Sequence, residues 1–349
     1  MRFITTMIAG LLLLASLASA QQNAVLKNEY LFDKAPFAEC HASTIAQTPG
    51  GVVVAYFGGT KEQNPDVEIW VQRRVAGRWS APVSVANGIQ HSKKRYPCWN
   101  PVLFQVPGGE LMLFYKVGPS PQTWWGELIR SKDNGRTWSE PRRLPEDILG
   151  PVKNKPVLLP DGTLLCPSST EVKSDQGWKL HFEMTKDWGK TWTITEKIDT
   201  ASAVDAIQPS VLFHKGNRLQ LLARSKDDGV VTSWSDDNGV TWSKMEKNIL
   251  PNPNSGTDAV TLGDGTQLLV YNPTGKTANR WGGMRSPLNL AMSRDGLHWE
   301  SVATLESGKG EFSYPAIIQG ADGRVYITYT WNRKNIKFVI IDPSKLKGK

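Results

Sequence analysis

Short apolar runs with strand-like alternation recur along the whole chain, broken at close intervals by turns rich in Gly, Pro, Asp and Asn. PVLFQ and ELMLFY flank Pro107-Gly108-Gly109, and two such runs around a tight turn are the signature of a β-hairpin. Equivalent turns stand at Pro49-Gly50-Gly51, Pro160-Asp161-Gly162, Lys215-Gly216-Asn217, Gly263-Asp264-Gly265 and Ala321-Asp322-Gly323, which predicts six hairpins. Beyond the first five come a third strand, as in EIWVQRR, ELIRS, KLHFEMT or LNLAMS, then a further turn and a fourth strand opening WS or WT. The sixth unit has strands around Tyr314 to Gln319, Val325 to Trp331 and Ile336 to Ile341, but no fourth. Ala24 to Phe32 has strand composition and no partner of its own, so it is expected to supply that strand.

The turn between third and fourth strands is itself repeated. It reads SKDNGRTW at Ser131 to Trp138, TKDWGKTW at Thr185 to Trp192, SDDNGVTW at Ser235 to Trp242 and, shortened, SRDGLHW at Ser293 to Trp299, with a worn copy ending near Trp79. The spacing of roughly 50 to 60 residues accommodates one four-stranded blade. The expected fold is all-β, a six-bladed β-propeller whose last blade is closed by the N-terminal strand. The Asp and Thr of each turn are expected to bond the turn backbone and the Trp to pack between blades, a structural role.

Composition adds less. Met1 to Ala20 carries Arg2, an apolar run and Ala18-Ser19-Ala20, the pattern of a cleaved signal peptide; residues 21–349 then form one propeller domain, exported to the periplasm or the exterior. A net charge of +8 favours acidic ligands. Basic residues form no run beyond Lys93-Lys94-Arg95, which excludes a nucleic-acid partner, and no later segment reads as a membrane span. Cys40, Cys98 and Cys166 permit one bridge or three small buried residues; neither they nor the five histidines have metal-ligand spacing, so no metal or cofactor is expected. A monomer is expected.

In a propeller, equivalent strand ends converge on the central channel. The residues opening the first strands are Glu39-Cys40-His41, Trp99-Asn100, Lys153-Asn154-Lys155, Asp205 to Gln208, Thr257-Asp258 and Ser313-Tyr314. Those leaving the second strands are Tyr56 to Asp66, Lys116, Ser168-Ser169 with Glu171, Arg224, Asn272 and Trp331 to Arg333. Both rings are polar, charged or aromatic where the strands are apolar, which marks a solvated pocket or a ligand site.

The Asp-box turns, blade count and alternation resemble the sialidase superfamily across essentially the whole chain after Ala20. The resemblance implies an exo-acting glycosidase with a Tyr nucleophile assisted by a Glu, an Asp acid/base and three arginines on the substrate carboxylate; a Tyr avoids repulsion by that carboxylate. Tyr314 resembles the Tyr, Arg285 and Arg224 the third and second arginines, and Asp66 in KEQNPDVEIW the acid/base. Two parts depart from the pattern: the first-blade arginine is replaced by Cys40-His41-Ala42, and the activating Glu falls at Gln208, which cannot accept a phenol proton. Glu171, Glu39 or His41 is left to act as base. Arg95, Lys116, Lys153 and Lys155 are candidates to replace the lost arginine, and Trp125, with Trp99 and Trp124, to stack on a sugar face. Packing between blades, solvated rim lysines and a turn role for Asp66 are the structural alternatives. The expected substrate is a glycan ending in sialic acid or a related acidic sugar. A polysaccharide lyase, a hydrolase of another acidic or deoxy sugar, and a non-catalytic glycan-binding propeller are the other readings.

Overall fold

The computed structural model describes residues 24–171, 177–199, 204–277 and 282–347. The segment read as a signal peptide lies outside them. Six antiparallel sheets of four or five strands follow one another along the described residues, with a separate two-stranded ribbon, Ile89–His91 and Lys94–Arg95, between the first two. Blade 1 contains Glu39–Thr48, Gly51–Gly59 and Glu68–Val75, with Arg78–Trp79 and Val83–Ala86 both pairing on the third strand. Blade 2 contains Cys98–Gln105, Leu111–Val117, Trp125–Ser131 and Arg142–Arg143. Blades 3 and 4 run from Val157–Leu158 to Thr193–Ile194 and from Ala206–Phe213 to Glu246–Pro251, and blade 5 from Asp258–Thr261 to Glu300–Glu306.

Blade 6 is assembled from both parts of the chain. Its order is Phe312–Gln319, Val325–Trp331, Asn335–Ile341 and then Val25–Tyr30, with Glu29 opposite Phe338. The closing strand is the expected one, shorter by one residue at its N-terminal end and by two at its C-terminal end. Its pairing covers an edge that would otherwise present free backbone donors and acceptors.

The repeated turns do the work predicted for them. Asp237 accepts bonds from the Thr241 amide, the Thr241 hydroxyl and the Ser235 hydroxyl; Asp133 and Asp187 make the same contacts. The box Gly, for example Gly239 at φ 80°, takes the left-handed conformation the tight turn requires. Trp242 stacks on Phe182 of the preceding blade at 4.6 Å, while Trp192 meets Phe114 and Trp79 meets Phe338 edge to face. Each box Trp thus seals its blade against the one before it, and the main apolar clusters lie between neighbouring sheets.

Antiparallel order puts the hairpins and Asp boxes at one end of every blade. The starts of the innermost strands and the ends of the second strands are at the other. Asp258, buried near that end, ties four blades together: it accepts from Lys155, from the Ser210 hydroxyl and from the Ile317 amide.

Candidate active site

Four innermost strands carry the same irregularity. Ala42, Asn100, Gln208 and Tyr314 have φ of 55°, 36°, 59° and 51°, and each sits where the register with the second strand slips. Bulges of this kind re-aim side chains and are enriched beside functional sites. Three of the four residues precede a proline, in Asn100-Pro101, Gln208-Pro209 and Tyr314-Pro315. Proline has no amide hydrogen to lose, so it suits a place where the ladder is interrupted.

Tyr314 is the hub. Its hydroxyl lies 2.8 Å from Nη1 of Arg224, and its ring packs against His41 with centroids 4.2 Å apart. The Arg285 and Arg224 guanidiniums stand 5.7 Å from the ring centre and the Lys153 ammonium 5.8 Å. Gly256 backs the ring, and a Cβ added there would stand 3.2–3.3 Å from it.

Arg224 is 3% exposed and donates to Asn254 Oδ1, Gln208 Oε1 and the tyrosine oxygen, all neutral groups. Gln208 therefore orients Arg224. Arg285 pairs with Glu311, and Glu311 also binds Arg333, which reaches on to Glu62. Sequence reasoning assigns no role to Arg333. It occupies the turn between the second and third strands of blade 6, with φ of 54°, and its carbonyl accepts from the Cys40 amide beside His41. A basic residue in the second-strand ring was the available signal; its partner Glu311, just ahead of the last blade, had none. Burial works to raise the Glu311 carboxyl, but Arg285 and Arg333 outweigh it and hold the group below the usual range.

His41 is buried, and its Nδ1 has no partner among the described residues. Burial, reinforced by Arg333, Arg285, Lys153 and Arg224, holds it well below an ordinary histidine, so it is neutral at neutral pH. Lys153 crosses the channel to the carbonyls of Thr257 and Pro315, at 2.7 and 2.5 Å. Its burial lowers it to about 7, with Asp258 opposing and Lys155 and Arg224 adding to the effect.

The remaining predicted residues are distributed differently. Lys155 is bound in the ion pair with Asp258 and to the Ala259 carbonyl, a seam contact between blades. Lys116 is fully buried and donates to the Pro151 carbonyl between blades 2 and 3, so it faces neither the channel nor a ligand. Arg95 pairs with Glu68 at 2.6 Å and touches the Asp66 carbonyl at the rim. Asp66 accepts from the amide and hydroxyl of Thr60 in its own loop. Burial works to raise its carboxyl, and the Thr60 bonds outweigh that and hold it low. The loop is tethered to the site through Glu62 and Arg333. Trp99 and Trp124 pack edge to face, whereas Trp125, with Arg143 over its ring at 4.7 Å, lines a cleft of about 320 Å³ together with Trp124 and Glu171. Cys40, Cys98 and Cys166 are free, buried thiols.

A family model for the BNR repeat-like domain matches residues 50–327. The chain belongs to this family. It is similar to a sialidase of Clostridium perfringens, 25% identical over 182 residues that make up 48% of this chain and 45% of that protein. The chain therefore spans less than half the length of that relative. Among solved structures it resembles a protein of unknown function from Dyadobacter fermentans, with TM-score 0.73, 16% identity and coverage of 91% and 98%. A Hadza microbial sialidase matches with TM-score 0.73, 19% identity and coverage of 89% and 67%. A Trypanosoma rangeli sialidase matches with TM-score 0.69, 18% identity and coverage of 88% and 55%. The propeller of this BNR repeat-like protein is thus of the sialidase type. No group of three His, Cys, Asp or Glu able to hold a metal occurs among the described residues, and no helix there is long and apolar enough to cross a membrane.

Proposed function

We propose that this chain is an exported exo-acting glycosidase that releases a terminal acidic sugar from glycans, with sialic acid the first substrate to test. The observation that carries the reading is Arg224: a buried guanidinium held by neutral acceptors, one of them the hydroxyl of Tyr314. A buried cation whose partners are neutral favours an anion nearby, here the carboxylate of the sugar, and it also stabilises negative charge on the Tyr314 oxygen. Arg285 is the second carboxylate ligand, and Lys153, lowered to about 7, adds positive charge to the floor of the pocket only as pH falls below neutrality. Arg333 stands where the ring needs a third cation, although Glu311 and Glu62 already neutralise part of its charge.

In this reading Tyr314 attacks the anomeric carbon. His41 packs on the Tyr314 ring, but the burial and cations that keep it neutral also disfavour its protonated form, so the phenol proton that Gln208 is unable to accept passes to water. Attack by an enzyme nucleophile followed by water gives a product of retained configuration. The related fold of Trypanosoma rangeli sialidase has been solved with 2,3-difluorosialic acid as a covalent intermediate. Incubation of this protein with that compound, followed by peptide mass spectrometry, is expected to label Tyr314. Turnover of a sialoside with inverted product, or labelling elsewhere, would sink the nucleophile assignment. Export rests on the Met1 to Ala20 pattern and is tested by the N-terminus of the secreted chain.

The His41–Tyr314 pair also suits a base and an acid in a lyase acting on a uronate. Acidic polysaccharides that yield unsaturated products, with sialosides untouched, would favour that second reading.

A further inference from the structure

The site described so far has a nucleophile and an anion clamp, but Asp66, the carboxyl expected to serve the leaving group, has Oδ2 bound to Thr60 of its own loop and Oδ1 buried with no partner among the described residues. We propose that Glu171 is the acid/base of the reaction, an inference that rests on the glycosidase reading above.

Its place in the fold is the reason. Glu171 ends the second strand of blade 3, Leu164–Glu171, at the channel end of the blade. Ser169, two residues earlier and therefore on the same face of the strand, accepts the Gln208 amide at 3.3 Å, and Gln208 in turn orients Arg224. Glu171 pairs across the sheet with Trp178, over whose ring the Arg224 guanidinium stands at 5.3 Å and the Lys226 ammonium at 4.6 Å, so it lies beside the arginine that holds the Tyr314 hydroxyl. On its other side it lines the cleft of about 320 Å³ with Trp124, Trp125 and Arg143. One carboxyl thus stands at the junction between the sugar pocket and a cleft able to take the rest of the glycan. The bond to be cut crosses that junction.

The electrostatic surroundings agree. Burial pushes the Glu171 carboxyl up; Arg224 and Lys226 pull against it, and Glu62 adds to the rise. Asp66 is held down. Two carboxyls driven apart in this way are fitted to opposite protonation states, and the raised one is suited to donate a proton.

The steps balance. As the Tyr314 oxygen bonds to the anomeric carbon, the glycosidic C–O bond breaks with its electron pair on the leaving oxygen, Glu171 protonates that oxygen, and the phenol proton passes to water. In the second half the Glu171 carboxylate takes a proton from water while the water oxygen bonds to the anomeric carbon. The bond to Tyr314 breaks with its pair on the phenol oxygen, which regains its proton from water.

The test compares Glu171→Gln and Asp66→Asn on sialyllactose, whose leaving group needs a proton, and on an aryl sialoside, whose leaving group does not. Glu171→Gln is expected to lower kcat/KM on sialyllactose by about 10²–10⁴-fold and on the aryl sialoside by less than about 10-fold. Equal losses on both substrates, or the split appearing in Asp66→Asn instead, would overturn the assignment. Should Glu171→Gln not fold, Glu171→Asp must lower kcat/KM more on sialyllactose than on the aryl sialoside; the absence of that difference is equally fatal. A wild-type protein that cleaves neither substrate refutes the release of sialic acid, and the assignment to that reaction with it, which is a different result from a variant that shows no split.

Discussion

Replacing Lys116 by methionine is expected to flatten the rise of stability with pH above neutrality. Lys116 is fully buried, and its ammonium has one hydrogen-bond acceptor, the Pro151 carbonyl, with Glu183 and Cys166 as the charges that favour it. Burial outweighs them and lowers the group to about 7. In the unfolded chain a lysine titrates near ~10.4, so over the interval between these values the unfolded state binds the extra proton. Stability therefore rises with pH from about 7 upward, by at most ~1.4 kcal/mol per pH unit for one lysine. Lys153, lowered to about 7 by its own burial, contributes in the same direction. The window closes at the alkaline end because burial pushes the thiols of Cys40, Cys98 and Cys166 upward, and their ionisation in the unfolded chain then favours unfolding. Between about pH 6 and pH 8 one lysine supplies at most ~1.4 kcal/mol, which urea denaturation at several pH values resolves. Lys116→Met also leaves the Pro151 carbonyl without its donor, a loss of about 1–3 kcal/mol that is the same at every pH. The slope, not the offset, carries the test. A variant whose stability rises between these pH values as steeply as the wild type would refute the reasoning.

Gly256→Ala places a Cβ 3.2–3.3 Å from three Tyr314 ring atoms, closer than ordinary contact. A ring displaced by a few tenths of an ångström should lower kcat by about 3- to 10-fold with a near-normal thermal melt; unchanged kcat would count against Tyr314. Arg224→Lys replaces a fork bonded to Asn254, Gln208 and Tyr314 with a point charge, and kcat/KM should fall by about 10²–10³-fold, measured on an aryl sialoside. Asp237→Ala removes the bonds to Thr241 and Ser235 and should destabilise by about 1–2 kcal/mol in a denaturant titration near pH 7. For Asp237, burial works to raise the carboxyl and the Thr241 and Ser235 bonds outweigh it, so the native group is depressed. Its contribution is complete above the usual aspartate range and fades as pH falls through the lowered value, so mutant and wild type should converge in acid.

The architecture was legible in the residues because each blade repeats one local solution. Six hairpin turns, the Asp boxes and the unpaired segment near Tyr30 depend on short-range turn chemistry and strand alternation, which neighbours in sequence decide. Tyr314 and Arg224 were picked out by their places in the repeat, at the channel end of their strands, and Arg285 by the family resemblance alone. The repeat count also implied ring closure, since an open last blade would expose an edge. What the linear chain did not hold was the direction in which each charged side chain is used. Lys116 and Lys155 share the ring positions of Arg224 and Lys153, yet they fold into seams where a protein carbonyl or Asp258 is nearer than any ligand. Arg333 joins the site through Glu311 and Glu62, partners supplied by different blades. Burial, and with it the neutral state of His41 and the raised carboxyl of Glu171, arises only when six sheets close around the axis, whereas Asp66 is held low by Thr60 of its own loop. Local sequence determined which groups stand at each strand end. Packing between blades decided which of them meet, because desolvation and charge pairing are properties of the assembled ring.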